Sequence, residues 1–211
     1  MNLAERKTGS ARAIQATPDA AGRGYNRLWS VSCPTANSCF AVGDYVNKAD
    51  VDVPLAEQWN GRTWSIKAVP HPAGTQITLM SVSCTTAKAC TAVGFYDTRS
   101  AREAPLVERW NGKAWKIGNV PAPAKTYGYY LQGVSCAAAA ACTAVGGWFT
   151  ASSPTYPLAE RWNGTSWKIQ PAPRPGGSGG FQNVSCTAPS TCTAIGYTFK
   201  SGGDLPFEES E

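Results

Sequence analysis

Eight cysteines stand in four pairs, Cys33/Cys39, Cys84/Cys90, Cys136/Cys142 and Cys186/Cys192, always with five residues between partners. Two chemistries suit sulfur at such spacing, disulfide formation and metal binding. Zinc sites favour closer pairs and often add histidine, whereas His71 is the one histidine of the chain. An even count in regular pairs fits disulfides made in an oxidising compartment, so neither metal nor cofactor is expected. His71 could serve as an acid/base with Asp44 or Asp97 as partner. No Ser-His-Asp signature or phosphate loop accompanies it, and in "VPHPAG" it reads first as a loop residue.

A second group of residues suits binding rather than bond-breaking. Trp29, Tyr45, Tyr96, Tyr129, Tyr130, Trp148 and Phe181 occur among sparse polar groups such as Arg99 and Gln182. Aromatic rings mixed with a few polar side chains line pockets for small molecules and sugars.

The elements that must position these residues follow from an internal repeat. First cysteines recur at intervals of 51, 52 and 50 residues (33, 84, 136, 186). Each unit runs "SVSC" or a variant, five residues, "CTAVG" or a variant, a polar aromatic-rich loop, then "PLAERW" and "WSIKAVP" types. Each piece is short, β-branched or alternating, and bounded by Gly, Pro or Asn-Gly, the pattern of a strand. "WNGxxW" at 59–64, 110–115 and 162–167 marks a tight hairpin, because Gly accepts positive φ. Its two tryptophans should face each other across the ladder.

A unit of about 50 residues with four strands is the pattern of a β-propeller blade. The fold expected is all-β: a four-bladed propeller of four-stranded antiparallel blades forming one domain over 1–211. Three blades are complete at 30–70, 81–121 and 133–173. The fourth is expected from the first two strands at 183–199 joined to a worn copy of the last two at 3–16, closing the ring by pairing the N- and C-terminal half-blades. "LPFEES" at 205–210 echoes the start of a third strand. Cysteines at facing strand ends should be bridged, each bridge adding about 2 kcal/mol on the loop-entropy account.

Repeated positions read as structural. Glu5, Glu57, Glu108 and Glu160 recur in register, alternate with Leu and Trp as in Leu55–Glu57–Trp59, point to a packed face and should satisfy backbone or indole N–H groups. Ser32, Ser83, Ser135 and Ser185 on the inner strands read the same way.

The motif "VSC-x5-CTAVG…PLAERWNGxxW" resembles the repeats of secreted actinobacterial β-propeller or kelch-like proteins. The resemblance covers nearly the whole chain. It implies a propeller and export, and carries no agreed activity from which catalytic residues could be transferred. The first 30 residues lack the apolar core of a signal peptide. The expectation is therefore a secreted protein whose leader is absent from this sequence.

The diverged links, between second and third strands and between successive units, should share one face. The function expected is a non-catalytic binding or interaction propeller, taking a glycan, small molecule or protein at one asymmetric aromatic site there. The alternative is a cyclase, isomerase or lyase acting on a small natural product in the same axial pocket. The formal charge of +5 is scattered over equivalent places in different repeats, which argues against a nucleic-acid stripe. No run approaches the length of a membrane span. A monomer is expected, and a dimer sharing one eight-bladed ring stays open.

Overall fold

The computed structural model describes residues 3–200 and 203–210, apart from residues 23, 101, 153 and 175. All its regular elements are strands. β1 (Leu3–Thr8) and β2 (Ala11–Ala16) form a two-stranded sheet. Three four-stranded antiparallel meanders follow. The first is β3 (Asn26–Thr35), β4 (Ser38–Val46), β5 (Asp52–Trp59) and β6 (Trp64–Lys67). The second is β7 (Thr75–Thr86), β8 (Ala89–Asp97), β9 (Glu103–Trp110) and β10 (Trp115–Ile117). The third is β11 (Gly128–Ala138), β12 (Ala141–Phe149), β13 (Tyr156–Trp162) and β14 (Trp167–Gln170). β15 (Ser178–Ala188), β16 (Thr191–Lys200) and β17 (Gly203–Ser210) make the last sheet.

The local chemistry of each hairpin follows the repeat. Asn60, Asn111 and Asn163 each accept two backbone N–H bonds on Oδ1 within their own turn. The glycines that follow sit at φ 97°, 91° and 99°, a region costly for any residue with a Cβ. The turn sets the register Trp59↔Trp64, Trp110↔Trp115 and Trp162↔Trp167. Ring centroids in these pairs lie 5.7, 5.7 and 5.8 Å apart.

All four expected disulfides are formed: Cys33–Cys39, Cys84–Cys90, Cys136–Cys142 and Cys186–Cys192, with Cα separations of 3.9–4.0 Å. Two of them are not staples on an open surface. Cys90 and Cys142 are 3 % and 2 % exposed. Cys90 lies in one core cluster with Trp110 and Trp115, and Cys142 in the next with Trp162 and Trp167. Thr91 Oγ1 of the second sheet stands 3.6 Å from Cys142 Sγ of the third. The second sulfur of these hairpins is therefore core packing as well as a cross-link.

Sheets stack face to face through a seam that recurs three times. Val42 of the first sheet packs with Ile77, Leu79 and Val82 of the second. Val93 and Val107 of the second pack with Leu131 and Val134 of the third. Val145 of the third packs with Phe181 and Val184 of the last. Hydroxyls bind the same seams: Ser32, Ser83 and Ser135 accept the amide N–H of Cys84, Cys136 and Cys186 at 2.9–3.0 Å. The repeated serines therefore join neighbouring sheets.

Two expectations need correction. The ring is not closed by pairing head with tail. The outer edge of β16 is taken by β17, with Gly196 opposite Phe207 and Ala194 opposite Glu209. That is the register of Gly146 opposite Leu158 and Ala144 opposite Glu160. "PFEE" at 206–209 is thus a third strand in its proper place, which leaves β1 no edge on β16 to join. Instead the β1–β2 hairpin lies against the first sheet as β9–β10 lies against the third. Arg6 donates to the carbonyl of Ala36 as Arg109 does to Ala139. Each guanidinium also stands over a tryptophan, Arg6 over Trp59 and Arg109 over Trp162.

The second correction concerns the repeated glutamates. Glu108 and Glu160 are fully buried, but neither carboxyl oxygen pair has a protein partner, nor do the indole N–H groups of Trp110, Trp115, Trp162 and Trp167. Burial pushes both carboxyl groups up to about 8, since an uncompensated charge in an apolar layer is costly.

A folded-state value of about 8 against an ordinary 4.5 means that the native protein holds these protons more tightly than the unfolded chain does. Stability should be greatest below the unfolded-state value and fall as pH rises through 8, by up to about 1.4 kcal/mol per pH unit for each group. Thermal melts from pH 4.5 to 9 measure this, and Glu108→Gln with Glu160→Gln should flatten the curve. An unchanged slope in the double variant would show that both carboxyls titrate normally.

Candidate functional site

Each inner strand is interrupted by a bulge at the residue four places before its first cysteine. Register passes from Leu28 to Ser30, Leu79 to Ser81, Leu131 to Gly133 and Phe181 to Asn183. The extra residues are Trp29, Met80, Gln132 and Gln182. The facing glycine of "VG" or "IG" makes this possible. A Cβ at Gly43, Gly94, Gly146 or Gly196 would run into the carbonyl oxygen of Arg27, Thr78, Tyr130 or Gly180.

The four bulge residues meet around the axis. They line a cavity of about 460 Å³ together with Ser30, Ser81, Val82, Val134 and Asn183. Trp29 is 48 % exposed and stands between this cavity and the cleft on the free face of the first sheet. The lining carries no charged side chain: one indole, one thioether, three carboxamides and two hydroxyls. Carboxamides both donate and accept, so this surface is matched to a neutral, hydroxyl-rich or amide-bearing molecule.

Trp29 is held from behind. Its Nε1–H donates to Asp44 Oδ1 at 2.7 Å, and Thr78 Oγ1 donates to the same oxygen at 2.8 Å. Arg27 donates to Asp44 Oδ2 from Nη2 and Nε at 2.7 and 3.1 Å. Asp44 is fully buried, so both oxygens are spent within this cluster. The guanidinium of Arg27 is stacked by Tyr25, 4.0 Å away, and Trp29, 5.1 Å away. Burial opposes its charge, but Asp44 outweighs that and raises its pKa. Tyr25 in turn donates to Asp52 at 2.8 Å. The positions equivalent to Asp44 are Phe95, Gly147 and Tyr197, so this cluster exists on one sheet alone.

The other residues marked by the sequence scatter. Trp29 and Gln182 reach the axial cavity. Phe181 is fully buried in the seam before the last sheet, and Tyr130 is buried with its hydroxyl 3.1 Å from that of Tyr197. Tyr129 and Tyr96 are half-buried against core clusters. Trp148 packs on Tyr156 at 5.1 Å, with Arg174 over both rings. Tyr45 is half-buried at the end of β4. His71, Asp97 and Arg99 line a separate open cleft of about 630 Å³ between two loops, and His71 Nδ1 stands 3.1 Å from the Pro72 carbonyl. Of the residues considered for acid/base work, His71 and Asp97 border this one cleft, while Asp44 is committed to the Trp29 cluster.

The cysteines offer a ligand no thiol, since every one is spent in a bridge. Cys90 and Cys142 are in addition buried between sheets, so they contribute no surface to any site and serve the fold alone. Among the described residues no group of three or more His, Cys, Asp or Glu could hold a metal ion.

Met80, Gln132 and Asn183 were missed by the reading of loops. A signal for the bulge residues was present: the position four before cysteine varies (Trp, Met, Gln, Gln) beside otherwise fixed "VSC".

No family model and no curated protein matches the chain. Solved structures do. The fucose-specific lectin from Aleuria aurantia aligns with a TM-score of 0.54 and 12 % identity, over 88 % of this chain and 56 % of the lectin chain. A variant of fructan 1-exohydrolase IIa from Cichorium intybus, in complex with 1-kestose, aligns with a TM-score of 0.50 and 9 % identity, over 90 % and 44 %. The chain thus spans about half the length of the structures it matches, and the likeness shows a propeller-like fold.

Removing Asp44 should release the cluster. Asp44→Ala leaves Arg27 and Trp29 without their acceptor, and we expect a loss of about 1–3 kcal/mol, less than for a fully buried pair because Arg27 is partly solvated. Denaturant melts give the size, and a shifted Trp emission reports the freed indole.

Proposed function

We propose that the protein is a secreted, non-catalytic carbohydrate-binding propeller whose binding site is the axial cavity, with Trp29 as its platform. The observation that carries this reading is the chemistry of the lining: one partly exposed indole, fixed in orientation by Asp44, among the carboxamides of Gln132, Gln182 and Asn183 with no charge between them. A sugar ring offers an apolar C–H face to an indole and hydroxyls to amides. The diverged bulge residues make the site asymmetric, so it takes one ligand per chain rather than one per blade. Four disulfides in a small all-β chain support an oxidising, extracellular setting, and the fold neighbours that include a fucose-specific lectin support the class of ligand.

A glycan array probed with the oxidised protein tests the reading, followed by titration of Trp fluorescence with the best neutral hit. Trp29→Ala should weaken that hit at least tenfold, and Gln132→Ala and Gln182→Ala each about three- to tenfold, the two glutamine variants with melting temperatures little changed. Retention of glycan binding in Trp29→Ala, or an array with no neutral hit, would remove the axial-site reading.

A further inference from the structure

The two outermost faces of the stack carry matching halves of the repeated seam. Val82, Val134 and Val184 are 5–7 % exposed because the preceding sheet covers them, while their counterpart on the first sheet, Val31, is 61 % exposed. Val42, Val93 and Val145 are at most 1 % exposed because the following sheet covers them, while their counterpart on the last sheet, Ile195, is 52 % exposed. The hydroxyl ladder is cut at the same places. Cys33, whose equivalents donate N–H to a serine, is exposed, as is Ser185, whose equivalents accept.

The free face of the first sheet is a cleft of about 620 Å³ lined by Leu28, Val31, Cys33, Ala41, Trp59 and Trp64, with β1–β2 along its outer side. At the other seams a neighbouring sheet covers the equivalent valines. β1 presents to the cleft the edge that β5, β9 and β13 present to β4, β8 and β12. The register inside the hairpin agrees, since Glu5 faces Ile14 as Glu57 faces Ile66. With no inner strands over it, Glu5 is half-exposed and ion-paired to Arg12 at 2.8 Å, unlike its fully buried equivalents.

We propose that a second copy of this chain fills the cleft, its β15–β16 flank seating Ile195 against Val31 and offering Ser185 to the Cys33 amide. Two such seams, made reciprocally, close a two-fold ring. Among the described residues the last sheet makes no extensive contact with β1 or β3, so the cleft stands open to a second copy. Seating requires β17 to cede the edge of β16 to β1, an exchange of strands that place Glu209 and Glu5 at equivalent positions.

Light scattering after size exclusion, on the full oxidised chain from 1 to 100 µM, should give twice the 22.3 kDa chain mass. Val31→Arg and Ile195→Arg should each weaken association at least tenfold while melting normally, since both side chains are already exposed in the single chain. Mixing the two variants should recover a pair, because one contributes an intact cleft and the other an intact flank. A monomeric wild type overturns the proposal, and amide exchange distinguishes the reason. Protected Val31 and Cys33 amides would mean that the chain's own last sheet fills the cleft, and unprotected ones that nothing does. A dimer indifferent to both substitutions, or growth beyond two copies, overturns it as well.

Discussion

The seam between consecutive sheets is the contact on which this architecture rests. A single meander of four short strands has two broad faces and too little apolar surface to hold itself together. Stacking supplies what is missing, since a valine from one sheet enters a hollow between Val, Leu and Trp of the next, and a serine hydroxyl caps an amide N–H that would otherwise be buried unpaired. Where the pattern lapses, the structure compensates. Gly133 lacks the hydroxyl that Ser30 and Ser81 use to bind the next valine's N–H, and Val184 takes the side-chain oxygen of Asn183 instead. The disulfides act inside a sheet, fixing the inner hairpin whose edge residues make the seam. Through Cys90 and Cys142 they also fill part of the seam itself.

Much of this was legible because the sequence repeats it. The Asn-Gly turns, the facing tryptophans and the cysteine pairing each depend on residues a few places apart, so local chemistry determines them. The burial of Cys90 and Cys142 was not, because it depends on the tryptophans that fold over them and on the neighbouring sheet. The fate of the ends was not legible either. Residues 3–16 and 205–210 both resemble a third strand, and the choice between them for the edge of β16 turns on a competition between distant segments. Pattern matching ranks such segments by likeness, and the better copy was assigned to the wrong edge. The glutamates misled for another reason. Repetition at a packed position implied a partner, but Glu108 and Glu160 are accommodated by keeping their protons rather than by pairing.

The candidate site was half legible. Diverged loops drew attention to aromatic residues, and most of those rings pack the loops to the sheets. Trp148 on Tyr156 and Tyr129 in the core of the third sheet are examples. What reaches the axis is a single residue per strand, placed there by a bulge that needs a glycine opposite. The glycine was visible as part of "VG", but its consequence requires knowing that the preceding strand passes close enough to exclude a Cβ.

Asymmetry arises in the layer just outside the axis, where each sheet contributes one residue from its inner strand and one from the next. The pairs are Arg27 with Asp44, Thr78 with Phe95, Tyr130 with Gly147 and Gly180 with Tyr197. Volume and polarity are traded between neighbours rather than within a pair. Thr78 donates to Asp44 of the preceding sheet. Phe95 packs against Tyr130 of the following one. Tyr130 occupies the room left by Gly147 and Gly180, and reaches Tyr197 through its hydroxyl. One quarter of the layer is therefore ionic and holds Trp29 rigid, and the rest is aromatic and closed. A scaffold of repeated sheets thereby presents one polar, oriented aromatic face to the cavity that its inner strands share. A ligand there would meet different chemistry in every direction, which is the condition for recognising one molecule in one pose.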